Sequence, residues 1–182
     1  MLCGLLSSHH KMQCDTRLYR KLLRLMKAPT IDLLHHTSSV VGPTLSLLND
    51  WINAACNIAE PITQSDPSIN KTLTVVITHH DAMVELNHTF RQKDRSTNVL
   101  SFPDEPLPGE IPSSWGDVVF CHETIEIEAE DLQIPVMHHY AHLTVHGWLH
   151  LLGYDHENDK DASIMESLET KILHTLGIPN PY

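Results

Sequence analysis

Apolar and polar positions along this chain predict strands and helices in mixed order from residue 30 onwards. The β-branched run Leu73–Thr78 is typical of a central strand. Further strand candidates are Thr30–Ser38, Thr97–Phe102 and Val118–Phe120. Because strands and helices do not follow a regular βαβ rhythm, the pattern predicts the α+β class.

Several segments carry apolar residues at the spacing of an amphipathic helix. They are Pro43–Cys56, a helix capped by His80 or Asp81, His122–Leu132, Pro135–Leu152, and a last helix that begins near Asn158 or Asp159 and ends at Gly177. Prolines cluster at 60–70 and in Pro103–Pro112, which predicts loops there.

The first 29 residues differ from the rest of the chain. They hold six of the twelve basic residues, and a short apolar stripe at helical spacing ends before Pro29. We therefore expect a basic N-terminal extension over residues 1–29, followed by a single domain over residues 30–182. An arm that contacts RNA, a docked accessory helix and a poorly ordered extension stay open as its role.

Charge and cysteine usage narrow the function classes. The net charge is −11, and from residue 28 onwards six basic residues face 22 acidic ones. That balance argues against a broad nucleic-acid-binding face, so a polyanion site must be local. No stretch approaches the roughly 20 apolar residues that span a bilayer. The four cysteines form no C-x-x-C pair, which favours a reducing cytoplasm.

The segment from His146 to His156 carries three histidines at relative positions 0, 4 and 10, and Gly153 at position 7. Four residues of α-helix turn about 400°, so His146 and His150 project from one face. Gly153 can adopt the left-handed conformation that ends a helix, which returns His156 towards the pair. Three imidazoles leave a fourth position open for water, as in catalytic zinc sites. We therefore expect these three histidines to bind one Zn²⁺ ion.

Other histidines precede this set at four-residue spacing. A straight helix would place His142, His146 and His150 in one row. That row drifts by about 40° per step and spans about 12 Å, too far for ligands that each lie about 2 Å from one ion. We therefore expect His138, His139 and His142 to pack or to support the ligands.

The same ligand spacing occurs in the metzincin peptidases, H-E-x-x-H-x-x-G-x-x-H. Those enzymes place a general-base Glu directly after the first His, and this chain has Gly147 there. Positioned general bases contribute about 10²–10⁴-fold to rate. The sequence therefore disfavours peptide hydrolysis. We expect replacement of Gly147 not to matter for a reaction whose general base lies elsewhere.

With Gly147 and the Tyr154-Asp155 pair, the motif resembles the signature of the YbeY family of metal-dependent endoribonucleases. Further stretches resemble other blocks of that family: Leu86-Asn87, Phe90–Asp94, Thr97–Pro103, Gly116–Val119, and Leu176-Gly177 with Pro181-Tyr182. Asn98 stands where many members carry Asp. The resemblance covers about residue 30 to the end and leaves out the first 29 residues.

The resemblance implies a zincin-like fold, in which a small mixed β-sheet is packed with helices and the metal-binding helix lies at the core. It also implies a zinc-dependent endoribonuclease that cleaves single-stranded RNA, in small-subunit rRNA 3′-end maturation and ribosome quality control. The expected partners are rRNA precursor, the ribosomal small subunit and assembly factors, with no membrane and no DNA.

Four residues besides the ligands have expected roles. Arg91 matches the family's functional arginine, and its planar guanidinium suits phosphodiester oxygens. We therefore expect Arg91 and His146 to be catalytic. Lys93 and Arg95 are either substrate-binding residues or part of a solvated charged loop. Asp155 either orients the third ligand or caps its turn.

Two other functions stay open at this point. One is a non-catalytic ribosome-assembly factor that zinc only stabilises, which a fourth protein ligand would favour. The other is a zinc hydrolase that acts on another substrate, such as peptides.

Overall fold

Four strands form one mixed sheet in the part of the chain that the structure describes. The computed structural model describes residues 28–36, 42–62, 70–105, 109–110 and 113–182. The strands are β1 (Thr30–His35), β2 (Thr72–Thr78), β3 (Val99–Pro103) and β4 (Ser114–Cys121). Their spatial order is β1-β2-β4-β3, with β1, β2 and β4 parallel and β3 antiparallel to β4. The predicted α+β class with a small mixed sheet is confirmed.

The helices of the described ranges are α1 (Leu45–Cys56), α2 (His80–Arg91), α3 (His122–Asp131), α4 (Val136–Leu151) and α5 (Asp159–Thr175). None of them is long and apolar enough to cross a membrane. Apart from residues 28 and 29, the predicted extension 1–29 lies outside the described residues. So do residues 37 and 38 of the predicted first strand and parts of the predicted loops.

Two local predictions differ from the structure. Helix α2 is capped by His79, whose ring nitrogen accepts from the Ala82 N–H at 3.4 Å, and not by His80 or Asp81. The capping prediction was wrong because an imidazole one residue earlier reaches an N–H of the first turn. Strand β4 begins at Ser114 rather than at Val118. Apolar periodicity missed this start because backbone pairing, not side-chain burial, extends the strand there.

Helix α4 lies in the core, where it contacts β3, β4 and the helices α1, α3 and α5. Most of its residues are buried, including Tyr140, Leu143, Val145 and Leu149. Trp148 on this helix is 1% exposed and belongs to the core, as expected. The face that carries His142, His146 and His150 is only partly covered. The core therefore holds the helix in place while one histidine face stays accessible.

Helix α4 packs closely against the sheet at Gly147. A Cβ atom at this position would lie 3.0 Å from Ser101 Oγ and 3.1 Å from Val118 Cγ1. Val118 is buried and β-branched, so its side chain has little freedom to move away. The expectation about replacing Gly147 concerns catalysis. The packing bears instead on stability, because a side chain here requires Ser101 or Val118 to move by a few tenths of an ångström.

We predict that Gly147→Ala lowers the free energy of unfolding by about 1 kcal/mol. Alanine favours a helix by about 1 kcal/mol over glycine, but overpacking costs about 1–3 kcal/mol. Urea denaturation measures the change, and the loss should shrink in a Ser101→Ala background, which removes one of the two close atoms. A variant as stable as the unchanged protein, or more stable, would contradict this packing argument.

Candidate metal centre

Three imidazole rings converge where α4 ends. The ring centroids of His146 and His150 are 4.6 Å apart, and His156 lies 5.3 Å and 5.1 Å from them. If one nitrogen is taken from each ring, all three nitrogens lie within 4.8 Å of one another. Gly153 has φ +94°, the left-handed conformation that the sequence predicts. The structure thus brings the three predicted ligands together through the predicted turn.

Hydrogen bonds on the far side of two rings fix which nitrogen is free. His146 Nδ1 lies 2.9 Å from Glu169 Oε1, and His150 Nδ1 lies 3.0 Å from the Tyr154 carbonyl oxygen. A carboxylate and a carbonyl only accept hydrogen bonds, so each Nδ1 carries the proton. In the neutral rings, Nε2 therefore keeps its lone pair and is the atom available to a metal ion.

The two free nitrogens are spaced as a metal ion requires. His146 Nε2 and His150 Nε2 lie 3.1 Å apart. Two zinc–nitrogen bonds of about 2.0–2.1 Å at a tetrahedral angle place their nitrogens about 3.4 Å apart. Two lone pairs at this separation repel each other unless a cation lies between them. The donor set therefore fits a zinc ion on its own geometry.

The electrostatics of the site favour neutral imidazole at His150. Burial, together with the neighbouring rings of His146 and His156, lowers the pKa of His150 to about 4. At neutral pH this ring is therefore neutral, and its one proton is on Nδ1. A metal ion binds the neutral form, so no proton has to leave His150 before coordination.

Glu169 is a site residue that the sequence analysis missed. It is fully buried on α5 and accepts hydrogen bonds from His142, His146 and Tyr182. Burial alone raises the pKa of Glu169, but these hydrogen bonds outweigh it and hold the pKa at about 2. A signal was present in the sequence. Glu169 occupies the face of α5 that Met165 and Ile172 bury, where an apolar residue is expected.

A second group of possible ligands shares a histidine with the first. His142, His146 and Glu169 also place donor atoms within 4.8 Å of one another. This group uses Nδ1 of His146, and a neutral imidazole has only one lone pair to give. His142 Nε2 lies 2.9 Å from Glu169 Oε2. The second group is therefore best described as a hydrogen-bonded support of the first, in keeping with the predicted supporting role of His142.

The other two histidines of this helix lie away from the converging rings. His139 Nε2 lies 2.7 Å from Glu128 Oε2, and His139 is buried. His138 is half-buried and is not among the grouped ligands of the described residues. Both positions agree with the expectation that these residues pack rather than bind the metal.

A cleft of about 550 Å³ opens over the histidines, and Arg91 lines it together with His150 and His156. Arg91 is the last residue of α2, and Gln92 after it has φ +55°, which turns the chain. Asp155 also lines the cleft, and its Oδ1 accepts from the His156 backbone N–H at 2.7 Å. Of the two roles expected for Asp155, this contact corresponds to capping the turn before His156.

Lys93 and Arg95 do not line this cleft. They lie on a neighbouring polar pocket of about 270 Å³, which Arg91 also borders. All three basic side chains are exposed. Arg91 therefore stands between the histidine cleft and a second, basic pocket.

Comparison with known proteins gives one consistent result. Residues 36–177 match the family model described as Endoribonuclease YbeY. Proteins named Endoribonuclease YbeY from the Dugway 5J108-111 and RSA 493 / Nine Mile phase I strains of Coxiella burnetii are each 42% identical over 153 residues, covering 84% of this chain and 97% of theirs.

Among solved structures, the fold is similar to the solution structure of TM1509 from Thermotoga maritima. The TM-score is 0.51 at 22% identity, and the match covers 81% of this chain and 92% of that one. At this identity the likeness concerns the fold alone.

We predict that the protein binds about one equivalent of Zn²⁺ and that His150→Ala weakens binding by more than 100-fold. Removing a residue that only supports a ligand typically costs about 10–100-fold, and removing a ligand should cost more. Competition against a chelator of known affinity measures the change. His88→Ala, at an exposed histidine away from the cleft, is the matched control and should bind as the unchanged protein does. Equal affinity in both variants would refute the assignment.

Proposed function

The chain belongs to the YbeY endoribonuclease family, and from this premise we propose that it is a zinc-dependent endoribonuclease that cleaves single-stranded RNA. The observation that carries the proposal is the single cleft in which Arg91 faces His150 and His156. A metal site beside a guanidinium is suited to a phosphodiester, since both groups attract the non-bridging oxygens. Family membership further supports a role in small-subunit rRNA 3′-end maturation and ribosome quality control.

The proposal includes the setting of the enzyme. Residues 30–182 act as the single hydrolase domain, and residues 1–29 are a basic extension. The partners are rRNA precursor, the ribosomal small subunit and assembly factors in the cytoplasm, with no DNA and no membrane. The acidic balance of the chain supports local recognition, because a net charge of −11 repels the RNA backbone outside a basic patch.

His146, His150 and His156 would hold one zinc ion. When bound, the ion polarises a phosphate oxygen and lowers the pKa of a coordinated water to about 7. Glu169 and the Tyr154 carbonyl keep the Nδ1 protons of two rings, so that Nε2 of each ring keeps its lone pair. The protein thus supplies neutral ligands, and none of the charge of the ion is cancelled by a carboxylate or thiolate.

Arg91 is the catalytic arginine of the proposal. Its exposed position at the end of α2 leaves the guanidinium free to form two parallel hydrogen bonds with a phosphate. Lys93 and Arg95 on the adjoining pocket would contact a neighbouring part of the RNA backbone. Asp155 holds the turn that presents His156.

The alternative functions find less support. At position 147 this chain has glycine where a metzincin peptidase has its general-base glutamate, and a Cβ atom there would lie tightly against Ser101 and Val118. The histidine group contains three ligands among the described residues, which is the number that catalytic zinc sites take from the protein, whereas structural sites take four.

We predict that Arg91→Ala lowers the rate of single-stranded RNA cleavage by about 10²–10³-fold, the usual cost of removing one group that stabilises developing charge. Zinc affinity should stay the same, because Arg91 is not a ligand. Cleavage of an end-labelled RNA is compared with that of its duplex and of DNA of the same sequence. Lys171→Ala, an exposed cation on α5, is the control. Full activity of Arg91→Ala, or of His146→Ala, would remove the support for this site.

We predict that the double change Lys93→Ala and Arg95→Ala weakens RNA binding with little effect on the cleavage rate of bound RNA. Each lost phosphate contact should lower the slope of log Kd against log salt by about 0.7, so the double variant should lose about 1.4. Fluorescence anisotropy over a salt series measures the slope. An unchanged slope would assign both residues to a solvated loop.

A further inference from the structure

The last residue of the chain contacts the carboxylate that supports the metal centre. The Tyr182 hydroxyl donates a short hydrogen bond to Glu169 Oε2. The same oxygen accepts from His142 Nε2 at 2.9 Å, and the other oxygen, Oε1, accepts from His146 Nδ1 at 2.9 Å. One buried carboxylate therefore connects the C-terminal tyrosine to a predicted metal ligand.

The tail reaches this position because the chain reverses after α5. Asn180 Oδ1 accepts from Thr170 Oγ1 and from the Tyr182 backbone N–H, both at 3.2 Å. The Tyr182 ring then packs edge-on against His142, with centroids 5.7 Å apart and planes at 82°. These contacts place the phenol over the buried carboxylate.

A buried carboxylate needs hydrogen-bond donors, since an ionised group without partners is costly to bury. The two carboxylate oxygens of Glu169 accept from different donors. His142 and Tyr182 hold Oε2, and Oε1 is left to accept from His146. If one donor on Oε2 is lost, the carboxylate is free to rotate, and the orientation of the His146 ring is less well fixed.

We propose that Tyr182 is a positioning residue of the metal centre: its hydroxyl, together with His142, orients Glu169, which in turn holds His146 with Nε2 directed at the metal ion. The proposal rests on the proposed function, because it requires that the histidines bind a metal. It assigns to the end of the chain a role in metal affinity rather than in contact with RNA.

The test compares zinc affinity in three variants by chelator competition. Tyr182→Phe removes only the hydroxyl and should weaken zinc binding by about tenfold, and Glu169→Gln by about 10–100-fold. Glutamine keeps one acceptor oxygen but turns an NH₂ group towards another donor. Thr175→Val is the matched control, because it removes a hydroxyl hydrogen bond on the same helix without touching the tail contacts or the carboxylate. It should bind zinc as the unchanged protein does.

A second readout separates positioning from stability. The visible absorption of the Co²⁺-loaded protein reports coordination geometry and should differ between Tyr182→Phe and the unchanged protein at saturating metal. The Thr175→Val spectrum should match that of the unchanged protein. The metal-free melting temperature shows that each variant is folded. Tyr182 is exposed, so its variant is expected to fold even where Glu169→Gln does not.

Three outcomes would overturn the proposal. They are an unchanged affinity and spectrum in Tyr182→Phe, an equal loss in Thr175→Val, and a second zinc equivalent in the unchanged protein that Glu169→Gln loses. The last would mean that His142 and Glu169 are themselves ligands. If the unchanged protein binds no zinc, the proposed function fails first. If it binds zinc and cleaves RNA while Tyr182→Phe behaves identically, only this inference fails.

Discussion

The contact on which the site depends is the pair of imidazole nitrogens that face each other at 3.1 Å on His146 and His150. The single N–H of each ring donates to an acceptor on the far side of the ring. His146 donates to Glu169, and His150 donates to the Tyr154 carbonyl. The two lone pairs therefore point at each other in a partly covered cleft. A metal ion between them would turn this repulsion into two bonds, so the arrangement suits a metal ion.

This arrangement persists only if the helix that carries both rings is rigid. Helix α4 is packed against two strands and three helices, and Gly147 lets it pack on Ser101 of β3 and Val118 of β4 with less space than a Cβ atom ordinarily has. On the opposite side α5 brings the Glu169 carboxylate behind His146. Packing and hydrogen bonding thus act on the same helix from different sides, and both limit how far the rings can turn.

The charge distribution explains how an acidic protein can act on a polyanion. The chain carries a net charge of −11, so long-range attraction to RNA is not available to it. Arg91 instead reaches the histidine cleft from the end of α2, and Lys93 and Arg95 follow on the pocket beside it. Under the proposed function, recognition is confined to this short segment, and strong salt dependence of RNA binding is expected to arise there.

Much of the fold and half of the site could be read from the sequence, because these features are local. The α+β class follows from apolar periodicity, and the approach of His146, His150 and His156 follows from the helical period and the left-handed turn at Gly153. The His79 cap, the early start of β4 at Ser114 and the tight packing at Gly147 were missed, since backbone pairing and neighbouring atoms decide them.

Only the tertiary structure shows that Glu169 is hydrogen-bonded to His146 and that Tyr182 is hydrogen-bonded to Glu169. The sequence offered a carboxylate on an apolar helix face and a tyrosine at the chain end, but no local rule pairs either with His146. Their contact depends on how α5 packs on α4 and on how the tail reverses after it. The sequence by itself determined which three histidines converge, because one helix and one turn position them. The tertiary structure decided what orients them, because that requires side chains from separate elements to meet.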